Sequence, residues 1–179
     1  MELDLDHGVM EADSESPFRD KKYFKAKHAI EANPESFWRS DGTRQNTPFV
    51  AMIWFQSKNH LIVPSKISFM PVQAESGVKF TEARNWMPLK WQFVGSNDGD
   101  CKPDGNWQVL CEDQSGQKID RPTWDAREEE TRSCEVEWKN LVNEPKAFRC
   151  LGIKVLDTTK DNNKYFAALH RIRIWGRLK

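Results

Sequence analysis

The stretch Ala168-Leu-His-Arg-Ile-Arg-Ile-Trp-Gly176 sets Leu169, Arg171, Arg173 and Trp175 on one side of an extended chain and His170, Ile172 and Ile174 on the other. Side chains alternate along a strand with a period of two, so this run reads as a β-strand with one apolar face and one mixed face. Six more runs have a similar rhythm: Phe49–Gln56, Pro64–Val72, Leu89–Ser96, Trp107–Glu112, Cys134–Lys139 and Phe148–Leu156. Between them lie turn-rich segments, "SNDGDCKPDGN" and "DTTKDNNK", in which Gly, Asn, Asp and Pro supply the backbone angles of reversals. Asp125–Arg132, "DAREEETR", is either a single charged helical turn or a solvated loop. No segment sustains a 3.6-residue period, so the chain is expected to be all-β.

The composition agrees. Eight Trp and ten Phe beside two Tyr mean that large rings supply much of the buried area, which suits a sandwich of short strands. At 179 residues one domain with a real core is expected. The 27 Lys and Arg balance 27 Asp and Glu, which removes the field that draws proteins non-specifically to nucleic acid or anionic lipid. No apolar run approaches the ~20 residues of a membrane-spanning helix.

Residues 1–22 are rich in Asp, Glu and Ser and are read as an acidic, loosely ordered leader, with the domain proper at 23–179. The start is acidic where a secretory signal is basic and then apolar, so a cytoplasmic location is favoured, or an extracellular one if a signal has been trimmed. Cys101, Cys111, Cys134 and Cys150 have no C-x-x-C spacing and give no support to zinc. Their even number permits two disulfides, but with no signal and no N-x-[ST] sequon, buried free thiols are the preferred reading.

Catalysis needs a nucleophile or acid–base group with a positioned partner, and no local signature of one is present. His7, His28, His60 and His170 stand far apart, and Asp98 and Asp104 read more readily as turn formers than as cation ligands. The expectation is a non-enzyme without a cofactor. The segment "TEARNWMPLKW" places Arg84, Asn85 and Trp86 in a loop between strands. Trp86 either folds back over one end of the core or offers an exposed ring beside hydrogen-bonding side chains to a sugar or a partner protein.

The segment "AIEANPESFWRS", Ala29–Ser40, fits neither a regular helix nor a regular strand, and its Phe37 and Trp38 must plug into an apolar interior. It resembles the first-strand loop of the discoidin family, the coagulation factor V and VIII type C domains, whose members read A-x-D-G-N-x-x-T-x-W-x-S there. The likeness continues in order through "FVAMIWF", "LKWQFVGSNDG", Trp107, "AFRCLGIKVL" and "AALHRIRIWG", and covers about residues 23–177. It implies a galactose-binding-like jelly-roll β-sandwich of about eight antiparallel strands, with both termini at one end and ligand loops at the other.

In the lectin branch of that family the first-strand loop wraps a calcium ion. The matching positions here are Glu31 and Ser36, with Arg171 in place of a carboxylate. A guanidinium repels the ion that the anion bound, so the loop is read as a degenerate calcium loop without metal, pinned by an Arg171–Glu31 ion pair. For ligand binding, the resemblance points to Arg44 and Asn46 in "DGTRQNTP" and to Arg84, Asn85 and Trp86. Arginine forks on vicinal hydroxyls with a ring on the sugar's C–H face would make a shallow site. The expected partner is a carbohydrate or glycoprotein, with an intracellular protein-interaction or scaffold subunit as the alternative. Membrane insertion through Trp86 and Met87 is the weaker case, and nucleic acid is not expected.

Overall fold

The computed structural model describes residues 1–16, 24–31, 36–43, 49–70, 86–114, 131–138, 145–158, 160–161 and 164–179. The chain is all-β, a sandwich of two antiparallel sheets. Five strands make one layer: β1 (Gly8–Ala12), β3 (Ala51–Ser57), β8 (Cys150–Thr158), β5 (Pro88–Ser96) and β6 (Gln108–Asp113), side by side in that order. Four make the other: β2 (Trp38–Arg39), β11 (Ala168–Leu178), β4 (Ile62–Met70) and β7 (Arg132–Glu135). A two-stranded hairpin, β9 (Lys160–Asp161) with β10 (Lys164–Tyr165), stands apart.

The core lies between the layers. Ile53, Phe93, Ile153 and Val155 from the five-stranded sheet meet Ile67, Phe69, Leu169, Ile172 and Ile174 from the four-stranded one. Phe69 stands edge-on to Trp91 with ring centroids 4.9 Å apart, an aromatic contact that joins the two layers. The continuous apolar run of β3 has a separate cause. Ala51, Ile53 and Phe55 face the core, while Met52 and Trp54 join Phe49, Val94, Cys101 and Cys150 in a second cluster on the opposite face of the strand. A strand buried on both faces loses its polar alternation.

Five expectations are corrected, three of them here. The first sixteen residues are docked, not a loose leader. β1 pairs with β3 over five residues from Gly8↔Ser57 to Ala12↔Ile53, the Leu3 amide donates to the Ile174 carbonyl at 2.8 Å, and Leu3 and Leu5 are in the core. The acidic residues mask a strand whose inward side chains are only Met10 and Ala12, partly buried against the core. The termini share one end, where the Gly176 amide donates to the Met1 carbonyl at 2.9 Å.

The cysteines are not free thiols. Cys101 is bonded to Cys150 and Cys111 to Cys134, with Cα separations of 6.6 and 6.0 Å. The second bridge joins β6 to β7, outermost strands of the two layers, and so closes one side of the sandwich. The first ties the turn after β5 to the start of β8.

The alternation in β11 is interrupted. A register shift lies between His170 and Arg173 on the pairing with β4, and Arg171 has a positive φ of 51°. This bulge moves the strand by one phase, so Leu169 joins Ile172 and Ile174 in the core instead of sharing a face with Arg173. The other two, the exposed Trp86 ring and the Arg171–Glu31 pair, belong with the site.

Candidate functional site

At the end of the sandwich away from the termini, β2 crosses the start of β11, with Leu169 opposite Trp38 and Ala168 opposite Arg39. The chain leaves β2 through Ser40, whose amide donates to the Ala167 carbonyl at 2.9 Å and whose hydroxyl accepts from the Ala167 amide at 2.9 Å. Asp41 then shapes the next turn. Its amide donates to the Ser14 hydroxyl at 3.1 Å, and its Oδ1 accepts from the Thr43 amide and hydroxyl at 3.0 and 2.7 Å. Gly42 has φ 73°, and a Cβ there would stand 2.7 Å from the Phe166 ring, so this position needs glycine on both counts. Residues 44–48 depart from this braced base.

Phe166 also packs against Trp86, with centroids 6.4 Å apart, and the Trp86 carbonyl accepts from the Ala168 amide at 2.9 Å. The segment that ends residues 71–85 therefore returns beside the base of residues 44–48. Between them lies Arg39. Its guanidinium carbon is 4.7 Å from the Phe24 ring centroid, 4.3 Å from Trp86 and 4.5 Å from Phe166, and an Nη donates to the Ser16 hydroxyl at 2.6 Å. Three rings around one planar cation form a cage that ties together segments far apart in sequence.

Trp86 is 4 % exposed and offers no free face to a ligand, which corrects the reading of an exposed stacking ring. Its role is to cover the core and to hold Arg39. Of the other residues named from sequence, Arg44, Asn46, Arg84 and Asn85 lie outside the described residues. Sequence reasoning missed Arg39, Ser16 and Phe166. The one available signal was an arginine placed directly after Phe37-Trp38, where an apolar plug ends in a cation.

Arg39→Lys tests the cage. Lysine keeps the charge but loses the plane that stacks and the fork that donates, so a loss of about 1–2 kcal/mol in unfolding free energy is expected from urea titration. A variant as stable as the parent would show that the rings pack without help from the guanidinium.

The degenerate calcium loop is also braced, though not as expected. Glu31 Oε1 is 2.8 Å from His28 Nδ1, and its carboxylate bonds Ser36. Burial raises its pKa, but hydrogen bonds from Ser36 and His28 and the charges of His28 and Lys27 outweigh this and hold it below the ordinary carboxylate value. Arg171 makes no ion pair with Glu31 among the described residues. Its guanidinium contact is the Met70 sulfur, at 4.0 Å. The bulge at Arg171 redirects the strand, and His28 takes the carboxylate.

Both residues still line one groove, with Glu2, Asp4, Asp6, Lys27 and Arg173. At the positions that match the calcium loop, Glu31 is engaged by His28 and Ser36 and Arg171 brings a positive charge, which weighs against calcium, an ion that takes six to eight oxygens. No cluster of three His, Cys, Asp or Glu suited to a metal occurs among the described residues. Asp98 likewise serves a turn, its Oδ2 accepting from the Asn106 amide at 2.9 Å.

No protein-family model matches the sequence, and no curated protein matches it either. In three dimensions the chain is similar to the module CBM32-5 of Clostridium perfringens in complex with GalNAc-β-1,3-galactose, at 15% identity over 98% of this chain and 99% of that one, with a TM-score of 0.62. It is similar to the family 32 carbohydrate-binding module of C. perfringens NanJ in complex with galactose, at 12% identity over 97% and 96%, TM-score 0.60. A putative chitobiase fragment from Bacteroides thetaiotaomicron aligns at 14% identity over 98% and 92%, TM-score 0.66. At these identities the likeness is one of architecture, and it establishes that the chain has the galactose-binding-like β-sandwich fold of these modules.

Proposed function

We propose that the chain is a non-catalytic carbohydrate-binding module, with its site on the loops at the end of the sandwich away from the termini. The observation that carries this reading is the braced floor at that end. Phe166 and the caged Arg39 fasten the departure of residues 44–48 to the return of residues 71–85. A fixed floor at Gly42 and Trp86 limits the ordering cost of gripping a small polar ligand there. Arg44, Asn46, Arg84 and Asn85 are the proposed ligand contacts, their donors meeting vicinal sugar hydroxyls, with Trp86 as a positioning residue.

Neighbours of the same fold were captured with galactose and with GalNAc-β-1,3-galactose, so sugars of the galactose type are the first class to test. The two disulfides support an oxidising compartment over a cytoplasmic one, and so weigh against the intracellular scaffold reading.

A glycan array at neutral pH, with and without EDTA, tests the proposal. Binding to galactose-type glycans that persists in chelator and disappears in Arg84→Ala is the expected result. A blank array beside a defined protein complex would overturn it in favour of a protein-interaction module.

A further inference from the structure

The bulge in β11 leaves its own residue in an unusual state. Arg171 occupies the left-handed region that non-glycine residues rarely adopt, and such strain persists only where the surroundings enforce it. Its Nε is shielded from solvent without a hydrogen-bond acceptor. The Met70 sulfur, 4.0 Å from Nη1, is a weak acceptor at long range. A guanidinium so placed has donors left over and, among the described residues, no counter-charge in contact.

The surroundings supply more donors. Ile67 and Phe69 of β4 and Ile172 and Ile174 of β11 point into the core, so Ser68 and Arg173, which face each other across the ladder, belong to the outer side of the four-stranded sheet. Arg173 makes a loose 3.5 Å contact with Glu2, on the surface. Ser68, Met70, Thr131, Arg171 and Arg173 line a partly open cavity of about 40 Å³. Among the described residues the lining thus holds two guanidiniums and two hydroxyls, and no carboxylate. The space exceeds that of one water, yet it is far below the ~300 Å³ at which small-molecule pockets begin.

We propose that this cavity is an oxyanion site, which takes a sulfate, phosphate or carboxylate group between Arg171 and Arg173 with the Ser68 and Thr131 hydroxyls as further donors. An acceptor-only group of a few heavy atoms meets the idle donors of Arg171, balances its charge and shares Arg173 with Glu2. The anion arrives either free or as a substituent of a sugar whose ring remains outside the cavity. No residue of the site belongs to the Arg39 cage, so the proposal stands or falls separately from the sugar site at the loop end.

The test is a titration of the full chain with sodium sulfate, followed by amide NMR shifts and referenced to sodium chloride at equal ionic strength. Saturable shifts at Ser68, Ser133 and Arg173 are expected with sulfate and not with chloride. Arg171→Gln should weaken the apparent affinity about tenfold or more, and Ser68→Ala, which spares the strained residue, should weaken it less.

Two further arms separate the sources. Galactose 6-sulfate or N-acetylneuraminic acid shifting the same amides more tightly than sulfate assigns a sugar-borne anion. Sulfate or phosphate binding without either sugar assigns a free one. Linear, non-saturating shifts identical in the parent and in Arg171→Gln would overturn the site. Neutral galactose moving only loop-end amides leaves the site unaffected.

Discussion

Urea unfolding of a Cys111→Ala/Cys134→Ala variant is expected to show a stability about 3 kcal/mol below the parent, and the matching Cys101→Ala/Cys150→Ala variant a loss of about 4 kcal/mol. The estimates follow from the segments that the bridges close, with sequence separations of 23 and 49, since a longer closed loop removes more freedom from the unfolded chain. Geometry sharpens the first case. β6 and β7 are the outer strands of separate layers, and on that side of the sandwich the Cys111–Cys134 bond is a covalent link between them. A domain of ordinary stability has roughly 5–15 kcal/mol in hand, so loss of both bridges consumes a large share of it. Two measurements check this: the urea midpoint with and without reductant, and the mass after alkylation in denaturant without reductant. No added mass and a lower midpoint on reduction are expected. Four alkylated thiols in the untreated protein would return the buried-thiol reading.

A second large effect is expected from His170. The ring is 2 % exposed and neither nitrogen has a hydrogen-bond partner. Burial, aided by the positive charge of Arg171, lowers its pKa from 6.5 to about 4. The unfolded chain therefore takes up a proton as pH falls below 6.5, while the folded chain resists until about pH 4. The contribution to stability is fully present above 6.5, falls steadily as the pH drops, and levels off below about 4. At 1.36 kcal/mol per unit, about 2 kcal/mol is lost by pH 5. Glu31 acts lower, because its pKa is depressed in the folded chain and its contribution is lost only as the pH falls from the ordinary carboxylate value toward the folded one. Comparing urea stabilities at pH 7.5 and pH 5 in the parent and in His170→Leu isolates the effect. The parent should lose about 2 kcal/mol more than the variant over this interval. Parallel losses in both proteins would place the protonating group elsewhere.

Some of the architecture was legible in the residues alone. Alternation is a local property, so the runs around Ala51–Ser57, Pro88–Ser96 and Cys150–Thr158 announced strands without reference to partners. The motif order pointed to a galactose-binding-like sandwich, and the two antiparallel layers agree with it. The site was less accessible. Arg44, Asn46, Arg84, Asn85 and Trp86 were named as ligand residues from resemblance, but the features that brace the neighbouring chain, Phe166 on Gly42 and Arg39 among three rings, join positions more than a hundred residues apart in part.

What the chain determined by itself was period and composition: which runs extend, which turns reverse, and how many rings must be buried. Tertiary structure decided the rest. Which cysteines met depended on which strands came to the edges of the two layers. The face shown by Leu169 depended on one bulged residue, since a shift of one position exchanges the sides of a strand. Whether Trp86 was a ligand's platform or a cover for Arg39 depended on Phe24, Phe37 and Phe166 arriving beside it. Backbone preference acts between neighbours in the chain, whereas burial and pairing act between neighbours in space, and the two coincide only within a strand.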